Sequence, residues 1–180
     1  MQSDHFDHLT EDARKVLNRA REEAQHFQQH YIGAAHLLLG LVHEEQGMAA
    51  RVLQSQGVSL GEVRKFVVGS IGRGDQRVQG ELNLTPRAKR AMELAADEAQ
   101  RMNQPLIGTE HLLLGLVRAG GIAADVLESL GVNLEQLRTA TAQLLSGTTP
   151  ASEEGVQQRE RMARKPIMKT KIVRMILEEE

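Results

Sequence analysis

Two histidines, one glutamate and three threonines stand where helices are expected to begin, positions from which side chains reach ligands. His36 and His111 recur inside two nearly identical strings. The first is Ile32-Gly33-Ala34-Ala35-His36-Leu37-Leu38-Leu39-Gly40-Leu41-Val42, and the second Ile107-Gly108-Thr109-Glu110-His111-Leu112-Leu113-Leu114-Gly115-Leu116-Val117. Paired histidines can hold a metal, but no His, Asp or Glu cluster with ligand spacing surrounds either one. Their repetition fits a structural hydrogen bond inside each copy, and no metal is expected. Glu110 sits in the first turn of its helix, where an acid by itself stabilises by roughly 0.3–1 kcal/mol. Thr10 and Thr85 read as helix N-caps, the first followed by Glu11 and Asp12, the second by Pro86, a residue favoured at the first helical position. Thr109 can cap the helix that carries His111. The polar run Asp4-His5-Phe6-Asp7-His8 reads as a frayed terminus.

Other chemistries lack their residues. There is no cysteine, hence no thiol nucleophile, disulfide or cysteine-based zinc site. No GxxxxGK[ST] string occurs, so no loop is built to cradle ATP phosphates. No Ser-His-Asp order or nucleophile elbow stands out, and neither an enzyme nor a cofactor is expected. The net charge of −2 gives no pull toward nucleic acid or anionic membrane. The aromatic residues are Phe6, Phe27, Tyr31 and Phe66, too few for base-stacking platforms. No apolar run approaches the roughly 18 residues of a membrane span. Residues 1 to 20 are acidic and polar, unlike a secretory signal, and the expected compartment is the cytoplasm.

Those residues must be positioned by helices, and the chain repeats itself to do so. The offset from His36 to His111 also relates Leu9-Thr10 to Leu84-Thr85, Ala20 to Ala95, and Glu23-Ala24 to Glu98-Ala99. One residue is then deleted, and Ala49-Ala50 matches Ala123-Ala124, Leu53 matches Leu127, and Gly57-Val58 matches Gly131-Val132. A unit this long, used twice, predicts two copies of one helical module packed together. Ala13, Val16, Leu17, Ala20 and Ala24 fall at three- and four-residue spacing. Leu37 to Val42 is apolar nearly throughout and predicts a buried helix. Gly47 starts a third helix and Gly57 stops it. Ser59 with Glu62 forms a capping box for a fourth, and Asn133 caps its counterpart. The expected architecture is all-α: two four-helix repeats, about 5–71 and 80–146, within a domain spanning 1–146. Gly69-Ser70-Ile71-Gly72-Arg73-Gly74-Asp75 is expected to be a flexible turn between them. Residues 147–180 are expected to be a linker, mobile over 147–165, followed by a basic tail. Ile167-Met168 and Ile172 to Leu177 suit an amphipathic helix or a strand. Ile172, Val173, Ile176 and Leu177 can dock on a partner, while a solvated extension or contact with an anionic surface fits the same composition.

The pattern LTxxAxxxLxxAxxEA, followed by IGxxHLLLGLV and a GxAAxVL segment, all twice, resembles the Clp amino-terminal domain. That domain recruits substrates and adaptors at the front of Hsp100 unfoldases. The strings IGTEHLLLGLV, LTPRAKRAMELAADEA and IGRG look most like its ClpC branch. The resemblance covers about residues 5–146 and implies eight helices in two repeats related by a pseudo-twofold axis. Without a Walker A motif, and with an unlike tail, the chain is expected to be a free-standing module or a fusion. The implied partners are a Clp/Hsp100 ATPase or the Clp protease core, together with adaptor or substrate proteins. An alternative is a phosphoarginine-binding protein acting apart from an unfoldase. In ClpC-type domains the glutamate matching Glu110 holds the guanidinium of a phosphorylated arginine, and a threonine-capped helix start 25 residues upstream, Thr85 here, holds the phosphoryl group. A carboxylate suits a planar guanidinium, and free amides at a helix start suit a phosphate. The resemblance thus implies a site of Glu110, Thr85 and Thr109, with a degenerate copy at Thr10 and Ala35, where alanine cannot hold a guanidinium.

Overall fold

Side-chain oxygens open four of the helices, as their spacing predicts. Thr10 Oγ1 accepts from the Ala13 N–H at 3.2 Å, and Thr85 Oγ1 from the Ala88 N–H at 3.2 Å. Ser59 Oγ accepts from the Glu62 N–H at 3.4 Å, and Asn133 Oδ1 from the Gln136 N–H at 3.0 Å. In the computed structural model, which describes residues 7–146, these caps begin α1 (Glu11–His26), α5 (Pro86–Arg101), α4 (Leu60–Ile71) and α8 (Leu134–Leu145). Between them lie α2 (Ala34–His43), α3 (Met48–Ser55), α6 (Thr109–Ala119) and α7 (Ile122–Ser129). The chain divides into units 1–142 and 143–180. Of the second, only the last turn of α8 and Ser146 are described, so the account concerns the first. The tail residues Ile172, Val173, Ile176 and Leu177, and the linker from 147, lie outside the described residues.

Helix α1 buries Ala13, Val16, Ala20 and Ala24, and α5 buries Ala88, Ala91, Ala95 and Ala99. Small residues on this face let a second helix approach closely. A Cβ on Gly40 of α2 would stand 2.5 Å from Val16 O, and one on Gly115 of α6 would stand 2.7 Å from Ala95 N. Glycine is required at both crossings because no side chain fits between the backbones. Helices α2 and α6 are the central pair: Leu38, Leu39 and Leu41, then Leu113 and Leu116, are almost wholly withdrawn from water.

The repeats join through two short backbone pairings that the all-α reading omits. Strand β1 (Tyr31–Ile32) runs parallel to β2 (Asn83–Leu84), with Ile32 opposite Leu84, and an isolated parallel bridge joins Leu9 to Ile107. Leu9 matches Leu84 and Ile32 matches Ile107, so each pairing is the other with the repeats exchanged. That reciprocity is the signature of a twofold relation. Two-residue strands are too short to leave an alternation in sequence.

The connection between repeats departs from a flexible turn. Gly69, Ser70 and Ile71 belong to α4, and Gly72 ends it at φ 71°. The Gly74 N–H donates to Phe27 O at 2.9 Å, the Gln29 side-chain amide donates to Gly72 O at 3.3 Å, and the Arg73 guanidinium lies 5.8 Å from the centre of the Phe27 ring. Glycine here serves close approach to the end of α1.

Candidate functional site

Two junctions of helix N-termini hold the residues singled out by their chemistry. At the first, the Ile107 N–H donates to His8 O at 2.7 Å and the Thr10 N–H donates to Ile107 O at 3.0 Å. The start of α1 thereby lies beside the segment leading to Glu110. At the second, the Thr85 N–H donates to Ile32 O at 3.0 Å, which sets the start of α5 beside the segment leading to Ala35. The expected pairings join Thr85 with Glu110, and Thr10 with Ala35, within one repeat. The backbone exchanges these partners: Thr10 meets the strand of Glu110, and Thr85 meets that of Ala35. The pseudo-twofold relation is the reason, since each repeat completes its strand with residues of the other.

Glu110 is 17% exposed at its side chain. Its carboxylate folds back over Gly108, where an added Cβ would stand 2.5 Å from each oxygen, and Oε1 lies 3.8 Å from His111 Nδ1. His111 Nδ1 accepts from the Gly108 N–H at 2.9 Å, and His36 Nδ1 accepts from the Gly33 N–H at 2.9 Å. Each histidine therefore secures the start of its own helix, and the acceptor role of Nδ1 assigns the ring proton to Nε2. Burial lowers the His36 pKa to about 4, against a smaller opposing effect of Glu23. Burial also lowers that of His111, opposed by Glu110 and Glu98. Both rings are neutral near pH 7. Among the described residues, no three His, Asp or Glu side chains are grouped to hold a metal ion.

Thr109 has a different role from the expected one. Gly108 is the N-cap of α6. Thr109 is 3% exposed, and its hydroxyl accepts from the Ala49 N–H at 3.2 Å, at the start of α3 in the other repeat. It caps a neighbouring helix, because α3 begins at Gly47, which has no side chain to do so. A hydroxyl so buried and engaged is not open to a ligand.

The junctions differ in charge. The first turn of α1 carries Glu11 and Asp12, with Lys15 at 3.5 and 3.7 Å. The first turn of α5 carries no acid, and Thr85, Pro86, Arg87 and Arg90 line an open cleft there.

A further pair of charged residues escaped the sequence reading. Glu23 and Glu98 recur on the apolar faces of α1 and α5, and both are buried. Glu23 receives Arg64 of α4 through two hydrogen bonds, one at 3.2 Å from Nε, and His43 Nδ1 stands 3.5 Å away. Glu98 receives Arg118 of α6 at 2.9 Å, and Arg118 also holds Asp97 at 2.7 Å. The hydrogen bond to Glu23 raises the Arg64 pKa, and the one from Arg118 lowers that of Asp97. The recurrence of one glutamate on an apolar stripe was the available signal.

The fold is a double helical repeat of the kind seen in Clp and Hsp104 N-terminal domains. Residues 8–120 and 97–166 match the Clp repeat (R) N-terminal domain, and the chain belongs to that family. It is 46% identical over 152 residues to the negative regulator of genetic competence ClpC/MecB of Bacillus subtilis, covering 83% of this chain and 19% of that protein. The curated relatives it matches are longer, and the chain spans less than a fifth of their length. Among solved structures, the N-terminal domain of ClpD from Arabidopsis thaliana superimposes with a TM-score of 0.68 at 24% identity, over 81% of this chain and 99% of that one. A ClpV N-domain in complex with a VipB peptide gives 0.61 at 16% identity, over 82% and 92%. No helix among the described residues is long and apolar enough to cross a membrane.

Proposed function

We propose that this domain is a non-enzymatic docking module of the Clp system, and that it reads phosphoarginine at the junction of Thr10 and Glu110. It recruits substrate or adaptor proteins for a Clp/Hsp100 ATPase or the Clp protease core. Membership of the Clp N-terminal domain family supports the docking role, and a related fold is described in complex with a peptide.

The observation that carries the phosphoarginine reading is the Thr10 N–H to Ile107 O bond, which brings α1's free first-turn amides to the segment bearing Glu110. The carboxylate accepts a guanidinium, and the amides of Glu11 and Asp12 take the phosphoryl oxygens. The side chains of Glu11 and Asp12 oppose the phosphoryl group, and Lys15 offsets them. At the second junction the balance is inverted: Arg87 and Arg90 favour a phosphoryl group, but Ala35 supplies no guanidinium acceptor.

Calorimetry with a phosphoarginine peptide tests this. One binding event per chain is expected. Glu110→Ala abolishes it, since each charge-assisted bond contributes about 1.5–3 kcal/mol. Thr10→Ala weakens it less, because the amides remain, and Thr85→Ala leaves it unchanged. Ala35→Glu creates a second event. Absence of binding to the wild type, or a Glu110→Ala variant that binds equally well, would remove the phosphoarginine assignment. Capture of a Clp ATPase by the full chain tests the docking role separately.

A further inference from the structure

The first turns of α2 and α6 are built alike except beside the histidine. His36 Nδ1 accepts from the Gly33 N–H and His111 Nδ1 from the Gly108 N–H, both at 2.9 Å. A buried glutamate of the preceding helix acts on each ring, Glu23 on His36 and Glu98 on His111. The difference lies one residue before the ring, which is Ala35 in the first repeat and Glu110 in the second. Glu110 Oε1 stands 3.8 Å from His111 Nδ1, and its carboxylate lies over Gly108. It accepts no hydrogen bond from any described residue, and His111 is its one ionic neighbour among them.

The ring proton of neutral His111 is on Nε2, which is buried without a partner. A second proton therefore goes to Nδ1, the atom beside Glu110. It displaces the Gly108 N–H and turns Nδ1 from an acceptor into a donor within reach of the carboxylate. Burial holds the His111 pKa below its ordinary value, and Glu110 and then Glu98 oppose that effect. Glu98 is bound by Arg118, whereas Glu110 has no cation of its own. Of the other helices packed on α6, α1 gives Glu23 to Arg64, and its remaining charges are exposed or half-exposed. Helix α2 carries His36 and His43, and the charges of α3 and α7, Arg51, Asp125 and Glu128, are exposed. Asp7 and His8, ahead of α1, are exposed as well.

We propose that His111 is the positioning residue of Glu110 and a proton-dependent rival of the guanidinium: neutral, it leaves the carboxylate open to a ligand, and protonated at Nδ1 it draws the carboxylate to itself. This rests on the reading of Glu110 as the guanidinium acceptor. A bound guanidinium and a proton on His111 are like charges competing for one carboxylate, so each weakens the other by the same factor. His111 is neutral above its ordinary pKa of 6.5, where affinity is complete, and affinity falls as pH drops below that value toward the lowered one. The domain thereby loosens its hold on an arginine-phosphorylated partner on acidification. The first repeat, with Ala35 in this place, has no such competition.

The test follows the imidazole resonances of the isotopically labelled full chain as pH is lowered from 7.5, with and without a phosphoarginine peptide. His111 is expected to titrate at a higher pH than His36. Glu110→Ala should move the His111 midpoint down, and Ala35→Glu should move that of His36 up. Bound peptide should lower the His111 midpoint and leave that of His36 in place. In calorimetry the wild type should lose up to about tenfold in affinity for each pH unit below the His111 midpoint, beyond the loss shown by His111→Gln. Glutamine keeps an acceptor for the Gly108 N–H but takes no proton, and titration of the phosphoryl group itself is common to both proteins. The proposal is overturned if Glu110→Ala leaves the His111 midpoint where it was, if bound peptide does not move it, or if wild type and His111→Gln lose affinity in equal proportion. A peptide that fails to bind removes the phosphoarginine reading instead, and the midpoints in Glu110→Ala and Ala35→Glu still decide whether a proton on His111 engages Glu110.

Discussion

The hydroxyl of Thr109, in the second repeat, caps a helix of the first by accepting from the Ala49 N–H at 3.2 Å. The bond is buried, and it ties the central helix α6 to the start of α3. The reciprocal position, Ala34, has no hydroxyl, so this bond has no counterpart under the pseudo-twofold relation.

Thr109→Val keeps the shape and removes the acceptor, leaving the Ala49 N–H unpaired. A loss of about 1–2 kcal/mol is expected, the range for a lost cap or an unsatisfied buried donor. Thr109→Ser should retain most of the stability. Denaturant midpoints of the three proteins decide, and a Val variant as stable as the wild type would show that the bond is energetically idle.

The two buried glutamates predict an exchange of partners between repeats. His43 occupies the position of Arg118, while Glu23 takes its arginine from α4 instead. Arg64→Ala leaves Glu23 with the His43 contact alone, and a loss of about 3 kcal/mol is expected from stranding a buried carboxylate. Adding His43→Arg should recover most of it, because α2 then supplies the guanidinium as α6 does in the second repeat. Thermal unfolding of the single and double variants gives the answer, and no recovery would mean that the repeats are not interchangeable at this position.

The His36 pKa of about 4 lies below the usual 6.5. The unfolded chain therefore takes up a proton between these values while the folded chain does not. Stability conferred by the neutral ring is complete above about pH 6.5 and is lost as pH falls toward 4. The shift corresponds to about 3 kcal/mol. Chemical denaturation at pH 7.5, 6 and 5 should show a progressive fall, and His36→Asn should flatten that slope. An unchanged slope in the variant would assign the pH dependence to other groups.

Gly115 has no room for a methyl group, since a Cβ would press on Ala91 O and stand 2.7 Å from Ala95 N. Gly115→Ala should cost about 3 kcal/mol by forcing α5 and α6 apart, whereas Gly61→Ala, with open space around it, should cost nothing. Equal unfolding midpoints for the two variants would contradict the close crossing.

Most of the fold was legible in the chain because it rests on local chemistry. Thr10, Ser59, Thr85 and Asn133 cap helices through bonds within three residues, and the alanine and leucine spacing marks the buried faces. The recurrence of Leu9 as Leu84 and of Ile32 as Ile107 announced the two repeats. What local chemistry cannot carry is which repeat completes which site. The resemblance pairs Thr85 with Glu110, 25 residues apart in one repeat, whereas the strand pairings set Thr85 beside Ile32 and Thr10 beside Ile107. Thr109 has the form of a cap for its own helix and instead caps α3, some 60 residues away in the chain. Spacing along a helix specifies a face, whereas contacts between repeats depend on a symmetry axis that exists only after both copies have folded and packed.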